Sequence, residues 1–306
     1  MSNHTDDIIR RLESAGFRAA FLPYTYAEKI AGIYDGLSAS SENTPFIRNA
    51  VKRFNDRKKP DIPFEPLSFL IAAFPSDPAQ VIFQTEKGRF AIPIPPTYLD
   101  YTEERKLLED ALKSVDVDCL TAYVEGISQK LLAVCCGLGR FGRNNICYID
   151  GLGSYCDLHA FYTDIPCDGE YYPPSFLDGC ETCKLCEKNC PTGAIGKHPV
   201  IDATRCLTML NEHSDPMPDW LPGNVHHTLI GCLRCQEICP YNLAIPPRTT
   251  HTLELDAAET QALLVLSADS LPPALTKKLQ TFGMHEFTIA VLGRNAKLVL
   301  NKAIMA

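Results

Sequence analysis

Cys180, Cys183, Cys186 and Cys190, with Pro191 directly behind them, space four thiols as C-x2-C-x2-C-x3-C-P. Thiols this close in sequence place three sulfurs on one face of a cubane iron cluster and turn the fourth toward a second cluster, so the segment must fold around an inorganic core. A second run, Cys232, Cys235, Cys239 and Pro240, has the end of the same pattern but carries Leu229 where its first cysteine would stand. That run is one ligand short. Two 4Fe-4S clusters need eight thiolates, and Cys206 is the only further cysteine within the segment.

The expected sharing puts Cys180, Cys183, Cys186 and Cys239 on one cluster, and Cys232, Cys235, Cys190 and Cys206 on the other. The exchange of Cys190 and Cys239 follows the crossing of ligands in two-cluster bacterial ferredoxins. Zinc is the alternative for closely spaced cysteines, but eight thiolates with two C-x3-C-P endings are not what paired zinc ribbons use. Two neighbouring cubanes form an electron relay. The spacing therefore says redox, without saying which reaction.

The remaining cysteines, Cys119, Cys135, Cys136, Cys147, Cys156 and Cys167, read as small buried hydrophobes. A polar N-terminus with no apolar export segment predicts a cytoplasmic chain, where thiols stay reduced and a disulfide framework is not expected. Apolar stretches such as Phe69–Phe74 and Leu131–Cys136 fall far short of the roughly 18 residues that span a bilayer, so no membrane association is expected. Lys plus Arg is 29 and Asp plus Glu is 37, a net charge of −8, which argues against coating nucleic acid through the overall field and leaves room for a local basic patch.

The patterning predicts an α+β protein in three consecutive parts: a mixed α/β cofactor and substrate domain over 1–175, a two-cluster ferredoxin-like domain over 176–248, and a helical C-terminal cap over 249–306. In the first part, Thr5 to Gly16 reads as a helix with Ile8, Ile9 and Leu12 on its apolar stripe. Glu103 to Val115 and Ile127 to Cys136 read as further helices. Strands are expected at Phe17–Phe21, Leu67–Phe74, Val81–Gln84, Asp118–Val124, Ile146–Ile149 and Cys156–Tyr162. Ala257–Leu266, Pro273–Thr281 and Glu286–Leu300 read as helices that could pack over the cluster segment.

Gly137, Gly139 and Gly142 in GLGRFG match G-x-G-x-x-G, and Asp157 follows the first glycine by 20 residues. A dinucleotide site needs a strand before the glycines and a helix after them, whereas a helix precedes these and a turn and strand follow. A tight loop approaching some other cofactor is the favoured reading, with structural glycines as the alternative. Arg48, Lys52, Arg53, Arg57, Lys58 and Lys59 form the densest basic patch, either a solvated helix face or a contact for RNA or an acidic redox partner. His159 lies beside a predicted strand, within reach of a cofactor or simply satisfied in the core.

Taken together, GLGRFGRNN at 137–145, GSYCDLHAFYTDIP at 153–166, CETCKLCEKNCPTGAI at 180–195, DATRCL at 202–207 and GCLRCQEICPYN at 231–242 make the chain resemble the epoxyqueuosine reductase family. The resemblance is close over 98–245. It implies a cytoplasmic reductase with a cobalamin-binding α/β domain related to that of reductive dehalogenases, followed by a dicluster domain. Electrons would pass from a low-potential donor of ferredoxin or flavodoxin type, through the clusters, to cobalt. The reduced cobalt would deoxygenate an epoxide in a modified tRNA nucleoside to give queuosine. Mapped onto the matching blocks, it points to Gly137, Gly139, Gly142, Arg143, Asn144, Ser154 and His159 as residues against the cobalamin.

Several positions depart from the family pattern. Tyr123 occupies the position of the catalytic aspartate that donates a proton, with Glu125 two residues on. Arg140 replaces the usual tryptophan, and His159-Ala160 replaces a Gly-Glu pair. Since the related dehalogenases use a tyrosine as acid, Tyr123 or Glu125 is expected to protonate the reduced substrate, with Arg140 lowering a tyrosine pKa or holding an anionic group. The C-terminal part is shorter than the helical repeat domain that helps many members hold tRNA, so a different substrate stands beside tRNA. A cobalamin-free dicluster protein that reduces a partner such as a corrinoid protein is the competing reading.

Overall fold

The computed structural model describes residues 2–55, 60–99, 102–113, 119–196, 200–246 and 248–305. In chain order, helix α1 (Ser2–Ser14) leads to strand β1 (Arg18–Pro23), helices α2 (Ala27–Ala39) and α3 (Pro45–Asn55), and strand β2 (Ser68–Pro75). Strands β3 (Ala79–Thr85) and β4 (Gly88–Ile94) follow, then helix α4 (Thr102–Lys113), strand β5 (Thr121–Tyr123) and helix α5 (Gln129–Cys135). Next come strands β6 (Gly139–Phe141), β7 (Cys147–Ile149) and β8 (Cys156–Thr163). The cysteine-rich stretch is built of short helices: α6 (Cys180–Cys183), α7 (Leu185–Asn189), α8 (Leu207–Glu212), α9 (Arg234–Glu237) and α10 (Pro240–Leu243). Strand β9 (His251–Leu255) precedes helices α11 (Ala257–Val265), α12 (Pro273–Thr281) and α13 (Glu286–Met305).

The fold is α+β, as the patterning predicts, but its compact units do not follow three consecutive domains. One unit comprises Met1–Pro75, Thr102–Lys184 and Ile195–Asp202, and the other comprises Ser76–Tyr101, Leu185–Ala194 and Ala203–Ala306. The physical reason is strand pairing, because β3 bonds to β4 on one side and to β9 on the other. The hairpin near residue 85 thereby joins the C-terminal helices, and the expected helical cap contains a strand.

In the first unit, β1, β2, β8 and β5 form an antiparallel sheet in that order. Its central strand β2 is buried continuously from Ser68 to Ala73, because both faces are covered. Leu70 and Ala72 pack with Ile8, Leu12, Phe17 and Leu108 on the α1/α4 side. Phe69 and Ile71 pack with Ile30, Tyr34 and Leu132 on the other. Gly16 ends the α1 region at φ +95°, a left-handed turn that a side chain would resist. Ser68 is the buried polar exception in β2, and its hydroxyl bonds Thr163 Oγ1 at 3.0 Å and the Ile165 carbonyl at 2.7 Å.

In the second unit, Val81, Phe83 and Leu255 from the three-stranded sheet share a core with Leu263, Leu279 and Leu292 from α11, α12 and α13. Truncating a fully buried leucine there, such as Leu292→Ala, removes about 2–5 kcal/mol of stability.

Several elements escape the sequence pattern for identifiable reasons. Helix α2 carries Gly32 and Gly36 and buries only Ile30 and Tyr34, so its stripe is thin. Strand β4 contains Pro93, tolerated because β4 lies on a sheet edge. Strand β9 has just two buried side chains, Leu253 and Leu255. The predicted strand at Asp118–Val124 is shorter, and its start, like the end of the predicted helix to Val115, lies outside the described residues.

Candidate functional site

In the second unit the cysteines sit in and beside short helices. Cys206 caps the N-terminus of α8, Cys239 caps α10 with Pro240 in the first helical position, and Cys235 lies within α9. Hydrogen bonds tie their loops together. Asn189 Nδ2 donates to the Arg234 carbonyl at 2.6 Å, Arg205 Nε to the Thr192 carbonyl at 2.8 Å, and the Leu233 amide to His227 Nε2 at 3.2 Å.

Cys190, Cys206 and Cys232 are thereby brought close enough to act on one another. Burial, then the Cys206 and Cys190 thiols, push Cys232 up to about 12, and burial with Cys190 also raises Cys206. Half-buried thiols that repel one another as thiolates ionise more readily beside a cationic core, which is the chemistry an iron cluster supplies, although among the described residues no three metal-ligating side chains are already drawn together around a single ion position. All fourteen cysteines are free of disulfides. Three of the four thiols expected on the second cluster thus share one neighbourhood, on sequence segments 42 residues apart at their extremes, from Cys190 to Cys232.

In the first unit, Cys180 and Cys183 bound the single turn of α6, which opens after Gly179 at φ +75° and closes at Lys184 at φ +53°. Arg143 holds this turn, since Nε donates to the Cys180 carbonyl at 3.0 Å, Nη2 to the Glu181 carbonyl at 3.2 Å and Nη1 to the Gly196 carbonyl at 3.2 Å. A guanidinium spread over three carbonyls orders the backbone that presents the thiols.

A second constellation forms on the sheet of the same unit. Tyr123 on β5 stands opposite Phe161 on β8, and their rings meet edge to face at 5.4 Å. Gln129 Nε2 donates to the Tyr123 hydroxyl oxygen, and the Arg105 guanidinium lies 5.0 Å from the centre of the ring. Burial raises the Tyr123 pKa; the bond from Gln129 and the charge of Arg105 oppose this, while Asp157 and the exposed Glu125 add to it. Asp157 is pushed up to about 6 by burial, against the lowering effect of its bond from the Leu158 amide. His159 is buried, with Nε2 3.3 Å from Asp157 Oδ2.

This arrangement corrects the role expected of Arg140. Its Nη1 pairs with Asp178 Oδ2 at 3.0 Å at the surface, the cation at the phenol ring is Arg105, and burial moves the Tyr123 pKa upward rather than downward. Asp157, which the sequence places 20 residues after Gly137 and two before His159, proves to be a carboxyl that acts on Tyr123. Its alternation with His159 and Phe161 on one strand face was the available signal.

At the three glycines of the predicted cofactor loop, the space a side chain would take is filled by the chain itself. A Cβ on Gly137 would lie 2.8 Å from the Tyr172 ring, and one on Gly139 would lie 2.7 Å from both Cys147 Sγ and Ile149 Cδ1. At Gly142 the obstacle is Asn144 Oδ1 at 2.5 Å. Asn144 and Ser154 are buried, and Asn144 Nδ2 donates to the Tyr148 hydroxyl at 3.0 Å. The middle glycine begins β6, which pairs with β7, so no strand–glycine-loop–helix turn for a dinucleotide exists here. A half-open cleft of about 710 Å³ is lined by Tyr24, Glu28, Ile62, Phe64, Glu65 and Pro66, among others, and by none of the predicted site residues. Of the basic patch, Arg48 donates to the Asn43 carbonyl at 2.9 Å, while residues 57–59 and the side chain of Arg53 lie outside the described residues.

Among the described residues, no helix is long and apolar enough to cross a membrane. The 4Fe-4S double cluster binding domain family matches residues 179–242, which defines the class as a dicluster iron–sulfur protein. Curated relatives narrow it. The epoxyqueuosine reductase of Cyclobacterium marinum is 34% identical over 117 residues, covering 38% of this chain and 37% of the relative. That of Bacillus subtilis is 32% identical over 143 residues, covering 46% and 36%, and that of Leadbetterella byssophila is 26% identical over 202 residues, covering 65% of each. The chain thus matches little more than a third of the length of the first of these relatives.

The fold match is broader. A structure of Bacillus subtilis epoxyqueuosine reductase, with its catalytic loop swung out of the active site, superposes with a TM-score of 0.65 at 22% identity, over 97% of this chain and 81% of the other. An epoxyqueuosine reductase holding an epoxyqueuosine-modified tRNA-Tyr stem loop gives a TM-score of 0.64 at 21% identity, over 97% and 80%. Over these stretches the chain is similar in sequence to epoxyqueuosine reductases, and it shares their fold.

Proposed function

We propose that the chain is an iron–sulfur oxidoreductase of the epoxyqueuosine reductase type, in which two 4Fe-4S clusters feed electrons to a reductive step. The mutual influence of the half-buried Cys190, Cys206 and Cys232 carries this reading, alongside the double-cluster match over the same stretch. Cys235 completes that cluster, and the spacing assigns Cys180, Cys183, Cys186 and Cys239 to the other. Its electrons come from a low-potential donor of ferredoxin or flavodoxin type.

Deoxygenating an epoxide to an alkene takes two electrons and two protons and releases water. Tyr123 supplies a proton: the bond from Gln129 occupies a lone pair on its oxygen, leaving its own hydrogen to give, and Gln129 with Arg105 stabilises the phenolate left behind. Asp157, with its pKa near 6, returns a proton to the phenolate near neutral pH, and the exposed Glu125 is the alternative donor. Arg140 is retained only as a surface residue able to hold an anionic group. tRNA is the proposed carrier of the substrate because relatives bear that activity, and a substrate other than tRNA is the variant that the replaced aspartate position favours.

Cobalamin enters this reading from the family resemblance alone. The residues expected to hold it do not fit a loop kept open for a corrinoid, because the Cβ sides of Gly137, Gly139 and Gly142 are filled by Tyr172, Cys147, Ile149 and Asn144. Arg143 is likewise committed to backbone carbonyls. That observation favours a second reading, a corrinoid-free dicluster protein that passes electrons to a partner such as a corrinoid protein. Anaerobic reconstitution with iron, sulfide and cobalamin, followed by metal analysis, separates the two: one cobalt per chain supports the first, and iron without cobalt the second.

A further inference from the structure

Tyr98 ends the 3-10 turn Pro96–Tyr98 after β4, and its hydroxyl donates to Glu212 Oε1, 114 residues further along the chain. Glu212 is the last residue of α8, the helix capped by Cys206. The Tyr98 ring fills the space that a side chain at Gly231 would need, with ring carbon Cε2 2.6 Å and Oη 2.9 Å from that Cβ position. Gly231, at φ +61°, directly precedes Cys232. One phenol therefore links the helix that Cys206 caps to the residue before Cys232, two of the three segments that carry ligands of the second cluster.

The surroundings hold this contact rigidly. Asn211 Nδ2 and Thr228 Oγ1 donate to the Gly231 carbonyl at 2.8 and 3.0 Å. From α13, Asn295 Nδ2 donates to the Asn211 and Leu229 carbonyls at 2.9 and 2.8 Å. Asn211, Thr228 and Asn295 have no solvent exposure. Arg294 Nη2 adds a bond to the Leu210 carbonyl at 3.0 Å.

We propose that Tyr98 and Glu212 form a positioning pair for the second cluster, locking the Cys206 and Cys232 loops together and lowering that cluster's reduction potential through the half-buried Glu212 charge. The inference rests on the reading of Cys206 and Cys232 as ligands. Cluster potentials respond to nearby charge, hydrogen bonding and burial, and a carboxylate in a poorly solvated place opposes the arrival of an electron more strongly than in water. Burial first, then Glu212 with Cys206 and Cys232, raise the Tyr98 hydroxyl well above an ordinary phenol, so Tyr98 remains the donor of the pair. Burial raises the Glu212 pKa, and the hydrogen bond donated by Tyr98 opposes this by favouring the ionised carboxylate.

The test is a redox titration of the full chain, reconstituted anaerobically with iron and sulfide and followed by electron paramagnetic resonance. The second cluster is recognised as the signal that Cys206→Ser removes or alters. Glu212→Gln is expected to make that cluster easier to reduce by about tenfold in its equilibrium constant, about 59 mV for one electron, with the other cluster and the iron content unchanged. Tyr98→Phe keeps the ring against Gly231 and is expected to move the potential of the same cluster alone. Unchanged potentials in both variants, or equal shifts of both clusters, overturn the proposal. If Cys206→Ser leaves both signals intact, the ligand assignment has failed and the pair falls with it.

Discussion

Two motifs invite a cofactor reading, and the structure treats them differently. Three cysteines of the second unit, Cys190, Cys206 and Cys232, lie close enough to raise one another's pKa. The glycines of GLGRFG have their close approaches filled by Tyr172, Cys147, Ile149 and Asn144. A thiol at cluster spacing has few purposes other than ligation, whereas a glycine records only that something comes near, and that something is often the protein itself.

The largest expected effect tests the first half of this contrast. Cys206→Ser should halve the iron content of the reconstituted chain, from about eight to about four per chain, and abolish substrate reduction. Retention of all the iron, measured by colorimetric assay on the purified variant, would return Cys206 to the ordinary buried thiols.

Next in size is the proton donor. Tyr123→Phe should lower kcat for epoxide reduction by about 10²-fold or more while leaving cluster reduction by dithionite unchanged. Equal rates in variant and parent would exclude Tyr123, and Glu125→Gln would then be the variant to assay.

Gly139→Ala sharpens the second half. The added methyl meets Cys147 Sγ, Ile149 Cδ1 and the Tyr148 carbonyl oxygen, so urea denaturation should show a loss of about 1–3 kcal/mol, with any bound cobalt unchanged. Unchanged stability with lost corrinoid would restore the loop as a cofactor cradle.

The smallest effect is pH-linked. Asp157 ionises near 6 in the fold and near 3.8 when free, so between these values the folded chain binds more protons. Stability from this group is present below about pH 4 and is lost as pH rises through 6. Asp157→Asn should therefore gain up to about 2–3 kcal/mol over the parent above pH 7, a gain that fades below pH 4, as thermal melts at several pH values would show. A gain independent of pH would mean that the carboxyl is not desolvated as described.

The sequence disclosed those parts of the molecule whose chemistry is local. The cluster thiols, the apolar run of β2 and the amphipathic helices α1 and α4 all carry their signal within a few residues. What stayed hidden depends on partners far along the chain. Strand β9 exists because β3 pairs with it, and Arg105 acts on Tyr123 of β5 from helix α4. Asp157 acquires its shifted pKa from burial against neighbours no motif records. Tyr98 shows the same limit, since nothing near it in sequence announces that its hydroxyl reaches α8.

Iron and acid-labile sulfide analysis of the anaerobically reconstituted chain, with Mössbauer spectra, tests the central claim most directly. Two cubanes predict about eight irons and eight sulfides per chain, all in 4Fe-4S environments. Four irons or fewer with the thiols intact, or zinc retained in their place, would contradict it.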